Sequence, residues 1–139
     1  MSAGTSRMPR GVVAAVAAGG ALGAPARYEI SQLIHVARDS FPWATFVTNL
    51  SGAFVLGMFL TYVLEHRPST DYLRPFVAIG FLGAFTTFST MAVETVTLAK
   101  DGYVLLGAGY LIVSIAAGPG VTYLGIVIAR LLPARAGGL

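Results

Sequence analysis

The sequence reads as an all-α membrane protein: four transmembrane helices, the third broken at mid-membrane. Three observations predict it. Of 139 residues, 55% are apolar and 11% charged, with mean hydropathy +0.75, whereas about a quarter of the residues of a soluble domain are charged. Four apolar runs are each long enough to cross about 30 Å of hydrocarbon at about 1.5 Å per residue. The third of them contains Gly80-Phe-Leu-Gly-Ala-Phe-Thr-Thr-Phe-Ser-Thr-Met91, whose glycines and run of hydroxylated and aromatic residues are poor material for an uninterrupted helix.

The chain reads as one domain, residues 1–139, with spans at about 11–34, 43–65, 73–99 and 103–132. Met1 to Arg10 is a short polar tail, expected to be disordered. Arg7 and Arg10 before an apolar run suggest a cleaved leader, but three more spanning runs follow, and the first is kept as mature structure. Its Gly19, Gly20 and Gly23 would let another helix approach closely. At its end, Arg27 and Tyr28 fit two roles: a snorkelling cation with an interfacial ring, or an anion attractor in a vestibule.

Residues 35–42 form a polar loop, and Pro42-Trp43 opens the second span. Thr45, Asn49 and Gly52 share one face of it. An asparagine inside a span is costly unless it is partnered or wetted, so Asn49 either bonds a neighbouring helix or lines a polar path. His66 and Arg67 read as solvated. Glu94 follows Thr90 by one turn, and a structural bond to Thr90 or another helix is preferred over a proton or cation site. Lys100-Asp-Gly is a tight connection. The fourth span sets Tyr110, Ser114 and Gly118 at four-residue steps, before Gly118-Pro119-Gly120 is expected to kink it.

Several classes are excluded. There are no cysteines, hence no disulfides or thiolate metal sites. The arginines are too scattered for a nucleic-acid surface, and the two histidines lack metal-ligand spacing. No nucleophile-base pair, phosphate loop or carboxylate dyad points to an enzyme. The deep polar groups are instead Thr45, Asn49, Thr86, Thr87, Ser89, Thr90, Tyr110 and Ser114, which donate hydrogen bonds without carrying charge. Donors without a carboxylate favour an anion, and the rings of Phe85 and Phe88 can meet one edge-on. Carbonyls released at the helix break need a partner, a water or a cation. The residues alone reach a small-ion pathway without naming the ion.

Together, GGALGAPARY (19–28), TNLSGAF (48–54) and GFLGAFTTFSTMAVE (80–94) resemble the Fluc/CrcB fluoride-channel family over essentially the whole chain. The resemblance implies a multi-pass cell-membrane channel that exports fluoride and so reduces its cytoplasmic toxicity. It also implies an antiparallel, dual-topology dimer with two pores. A structural sodium ion (Na+) would lie at the dimer centre on the carbonyls of Gly83 and Thr86. Carried over by position, Asn49 is the pore-facing asparagine, and Phe88 is the first ring of a phenylalanine pair. Tyr110 and Ser114 lie on a polar track, Thr45 joins the pathway, and Arg27 stands near its start.

Two positions depart from the family pattern. The second ring falls at Met91 and the second glycine of a Gly-Gly pair at Ala84. A thioether replaces a positive ring edge there, so a pore built with Met91 is expected to conduct less well.

If both termini lie on one side, that side holds Arg7, Arg10, Arg67, Arg74, Arg130 and Arg135, against Arg27, Arg38 and Lys100 on the other, six of the nine basic residues against three. Since Lys and Arg set orientation, either a homodimer stands with span-end residues counting weakly, or the partner is an oppositely oriented paralogue. The rival of similar size is a small multidrug-resistance transporter coupling protons to cationic drugs. It needs a carboxylate inside the first span, which here has none before Glu29.

Overall fold

The computed structural model describes residues 9–66 and 72–132. The expectations for the N-terminal tail, for the His66 side chain and Arg67, and for Arg7 and Arg135 fall outside the described residues. Among the described residues every regular element is helical: α1 (Arg10–Leu33), α2 (Trp43–His66), a π-helical stretch (Pro75–Phe81), α3 (Leu82–Phe85), α4 (Phe88–Lys100) and α5 (Val104–Leu131). The π-helical stretch, α3 and α4 together form the broken third span.

Among the described residues, three helices are long and apolar enough to cross a membrane: Trp43–Val63, Pro75–Lys100 and Val104–Leu131. The 24-residue α1 has the length, about 36 Å at 1.5 Å per residue. Its Gly and Ala carry little apolar surface, and Arg27 and Glu29 lower its hydropathy further. It is built for contact with protein. Gly19 and Gly23 are buried, and a Cβ at Gly19 would collide with the Phe76 carbonyl oxygen and crowd the Phe81 amide. Backbone therefore meets backbone along the seam between α1 and the π-helical stretch, as small residues permit in membranes.

The π-helical stretch was not foreseen. Its wider winding appears at the exit, where the Leu82 amide donates to the carbonyl of Val77, five residues back. The seam has an outlet for this geometry, because a Cβ at Gly80 would in turn strike the backbone of α1 at Val16.

Two of the described connections have an identifiable lock. Before α2, the Trp43 amide donates to the Phe41 carbonyl at 2.7 Å and the Phe46 amide to the Pro42 carbonyl at 3.0 Å. Between α4 and α5, the amides of Asp101, Gly102 and Tyr103 return to the carbonyls of Thr97, Ala99 and Leu98. Gly102 sits at φ +91°, a conformation that favours glycine. In the last helix, α5 runs from Val104 to Leu131 with Pro119 inside it. It packs mainly against α2, while α1 packs mainly against the π-helical stretch.

Candidate functional site

The break in the third span comprises Thr86 and Thr87. Both are extended, at φ −78°, ψ 154° and φ −149°, ψ 114°. An extended pair in a bilayer strands backbone groups that a helix would have satisfied. Asn49 on α2 takes up two of them. Its Nδ2 donates to the Thr87 carbonyl at 2.9 Å, and its Oδ1 accepts from the Thr87 amide at 2.7 Å. One side chain thus serves as a neighbouring strand would, with donor and acceptor on the same residue.

The restart is capped locally. Thr87 Oγ1 accepts from the Thr90 amide at 3.1 Å, an N-cap bond for α4, and donates to Thr90 Oγ1 at 2.9 Å. Residue 87 is therefore held on both sides, its backbone by α2 and its side chain by α4. On α2, a Cβ at Gly52 would overlap the Thr86 side chain, so the bare backbone there lets α2 lie directly against the break.

These bonds redirect amides that a continuous helix would use otherwise. The Thr87 amide would have reached the Gly83 carbonyl, and the Thr90 amide that of Thr86. Both now donate to side-chain oxygens instead. The carbonyls of Gly83 and Thr86 are thereby deprived of their helical partners, as are those of Ala84 and Phe85, whose partners would be the first amides of α4. Carbonyl oxygens of this kind suit a hard cation such as sodium. Among the described residues no group of three or more His, Cys, Asp or Glu could hold a metal ion.

A second polar cluster lies beyond the break. Glu94 on α4 accepts from Thr45 Oγ1 on α2 and from the Tyr110 hydroxyl on α5, each at 2.8 Å. Tyr110 is fully buried. Glu94 thus ties three helices together, in line with a bond to another helix. It also corrects the view of Thr45 and Tyr110 as donors free of a carboxylate, because both hydroxyl protons are directed at Glu94. Donors left for a passing anion include the second proton of Asn49 Nδ2, the Thr90 hydroxyl, which accepts from Thr87, and the hydroxyl of Ser114, whose Oγ is buried with no partner among the described residues.

Two cavities flank the break. The larger, about 390 Å³, is lined by Asn49, Gly83, Thr86, Phe88, Met91 and Ser114 among others. The smaller, about 200 Å³, is lined by Arg27, Thr45, Thr48, Thr90 and neighbours, and Thr87 borders both. Most of the residues singled out from the sequence thus gather in one cavity. Arg27 and Thr45 lie in the other, and Tyr110 is in neither. Phe88 is 72% exposed whereas Met91, one turn on, is 5% exposed, so the two positions of the ring pair meet different surroundings. Thr87 was read only as one of several buried hydroxyls. The signal that could have raised it is its place as N-cap three residues before Thr90, beside an asparagine with no other task.

Comparison with known proteins agrees with the sequence motifs. Residues 14–126 match the family described as CrcB-like protein, Camphor Resistance (CrcB). The Fluoride-specific ion channel FluC 3 of Streptomyces avermitilis is 48% identical over 94% of this chain and 64% of its own length, so the chain spans slightly less than two thirds of that relative. The Fluoride-specific ion channel FluC 1 of Mycolicibacterium paratuberculosis is 46% identical over 88% of this chain and 93% of its own. The Fluoride-specific ion channel FluC of Hahella chejuensis is 41% identical over 84% and 93%. Nothing in these relatives favours a small multidrug-resistance transporter, and Glu29 is exposed near the end of α1. With apolar helices of spanning length, this is a multi-pass membrane protein, and the match over residues 14–126 makes it a member of the CrcB family.

Proposed function

We propose that the chain is a subunit of a fluoride-selective channel that lets fluoride leave the cell and so lowers its cytoplasmic toxicity. The observation that carries this reading is its relationship, across most of its length, to proteins named fluoride-specific ion channels. The geometry supports it: uncharged donors at Asn49 and Ser114 and the ring of Phe88 border one cavity, while the Arg27 cation borders the other. Fluoride would exchange water for these donors and for the positive edge of the ring.

Four helices cross the bilayer in this reading, with α1 packed on the third span by its glycine seam. The functional unit in this reading is an antiparallel dimer, in which Phe88, exposed at the break and bordering the larger cavity, would meet the partner chain. Sodium fits the carbonyls of Gly83 and Thr86, where it would supply a fixed positive charge at the dimer centre. The six-to-three distribution of basic residues supports an oppositely oriented partner chain as the second form of the same dimer.

The test is efflux from liposomes holding the purified chain, with fluoride and chloride compared. Fluoride flux without chloride flux is expected, and equal flux of both would overturn the reading. Size and activity of the chain purified alone then separate the two dimers, because an inactive monomer would sink the homodimer.

A further inference from the structure

We propose that Phe41, in the connection between α1 and α2, is a positioning residue of the permeation machinery: it closes one end of the Thr45–Glu94–Tyr110 cluster and holds the Tyr110 ring in place. The inference rests on the channel reading for its functional consequence, and on geometry alone for the closure. The Phe41 ring meets Tyr110 edge-on, with centroids 5.2 Å apart and planes at 82°. It meets Phe46 the same way, at 5.1 Å and 83°, and leans on Trp43 at 4.6 Å.

Phe41 is fixed from behind. Its carbonyl accepts from the Trp43 amide, and the next residue, Pro42, is buried immediately before α2 and accepts from the Phe46 amide. The ring is therefore delivered from a loop by a short backbone turn and wedged among aromatics of α2 and α5. On the far side of Tyr110, the hydroxyl reaches Glu94 at 2.8 Å. A carboxylate with two hydroxyl donors is sensitive to water, which competes for the same bonds. Glu94 is half-buried, and an aromatic plug over the fully buried Tyr110 limits that competition and leaves the ring one position from which its hydroxyl reaches Glu94.

Two measurements test this, one without ion flux. In detergent, labelling of Glu94 by a water-soluble carbodiimide and an amine, read by mass spectrometry, reports water access to the carboxylate. F41A should label about tenfold faster than the unaltered chain, and F41L, which refills the apolar volume, should return within about twofold. In liposomes, F41A should lower fluoride efflux about tenfold, near the upper end of what one edge-to-face pair contributes. F41L should recover most of that efflux. The double variant F41A/Y110F should be no slower than Y110F alone, because Phe41 acts through Tyr110. If F41A does not fold, F41V carries the same expectations at about threefold.

Unchanged labelling in the truncated variant overturns the closure whatever the flux. Raised labelling with unchanged efflux overturns the functional role, as do effects of F41A and Y110F that multiply. If the unaltered chain passes no fluoride, the channel reading falls and the labelling alone decides on the closure.

Discussion

α5 carries Gly118-Pro119-Gly120 and stays helical from Val104 to Leu131, whereas the third span stops at Phe85 and restarts at Phe88 across two threonines. By intrinsic propensity the first segment is much the worse helix former. Pro119 lacks the amide that would reach the carbonyl of Ile115, yet only that one bond is lost. At Thr86–Thr87 no residue forbids a helix, and the chain leaves it all the same. The difference is the neighbour. Asn49 offers Thr87 a donor and an acceptor together, at 2.9 and 2.7 Å, whereas beside Pro119 the Thr122 hydroxyl, from the same helix, only donates to the Gly118 carbonyl. Inside a bilayer a helix opens where a side chain can take over its backbone bonds.

The comparison breaks first at Asn49. N49A leaves the amide and the carbonyl of Thr87 without partners and is expected to cost about 3 kcal/mol and to abolish fluoride efflux. Unfolding in detergent, set beside liposome flux, checks both. If the variant kept its stability, the break would not depend on α2. F88I comes next: Phe88 is largely exposed, so efflux should drop about a hundredfold while the protein elutes at its usual size. Unchanged flux would remove Phe88 from the pathway.

T87A sharpens the division between backbone and side chain at one residue. It deletes the cap to the Thr90 amide but spares both bonds to Asn49, so a loss of about 1 kcal/mol is expected, well short of N49A. M91F tests the departure from the ring pair. The residue is buried beside the larger cavity, and throughput should rise about twofold to threefold; no change would mean that the thioether serves as well as a ring. P119A should matter least, shifting stability by within about 1 kcal/mol and sparing flux, because α5 is already helical there. A large effect would show that proline to be doing more than the backbone geometry implies.

The helices were legible from the residues, with α1 and α2 falling within a residue of their expected ends. Hydropathy over twenty positions is a strong signal, and Lys100-Asp-Gly marks its own turn. The break was legible too, within GAFTTFST, and so was the dilemma of Asn49, which had either to find a partner or to line a path. The partner is found in Thr87, and Asn49 also borders the larger cavity.

The π-helical stretch was not legible, because its winding is bound up with the glycine seam against α1 and with no residue of its own. Nor was the pairing of Glu94 with both Thr45 and Tyr110, since three separate helices supply its parts.

The separation of Asn49 and Thr87 along the chain has a consequence for biogenesis. Asn49 precedes Thr87 by 38 residues, so α2 leaves the ribosome well ahead of the break. When Thr86 and Thr87 emerge, the side chain that will satisfy them is already available. The order of synthesis thus spares an open backbone the need to wait in lipid, and exchanging the order of these two segments in a permuted gene would remove that protection even if the finished fold were the same.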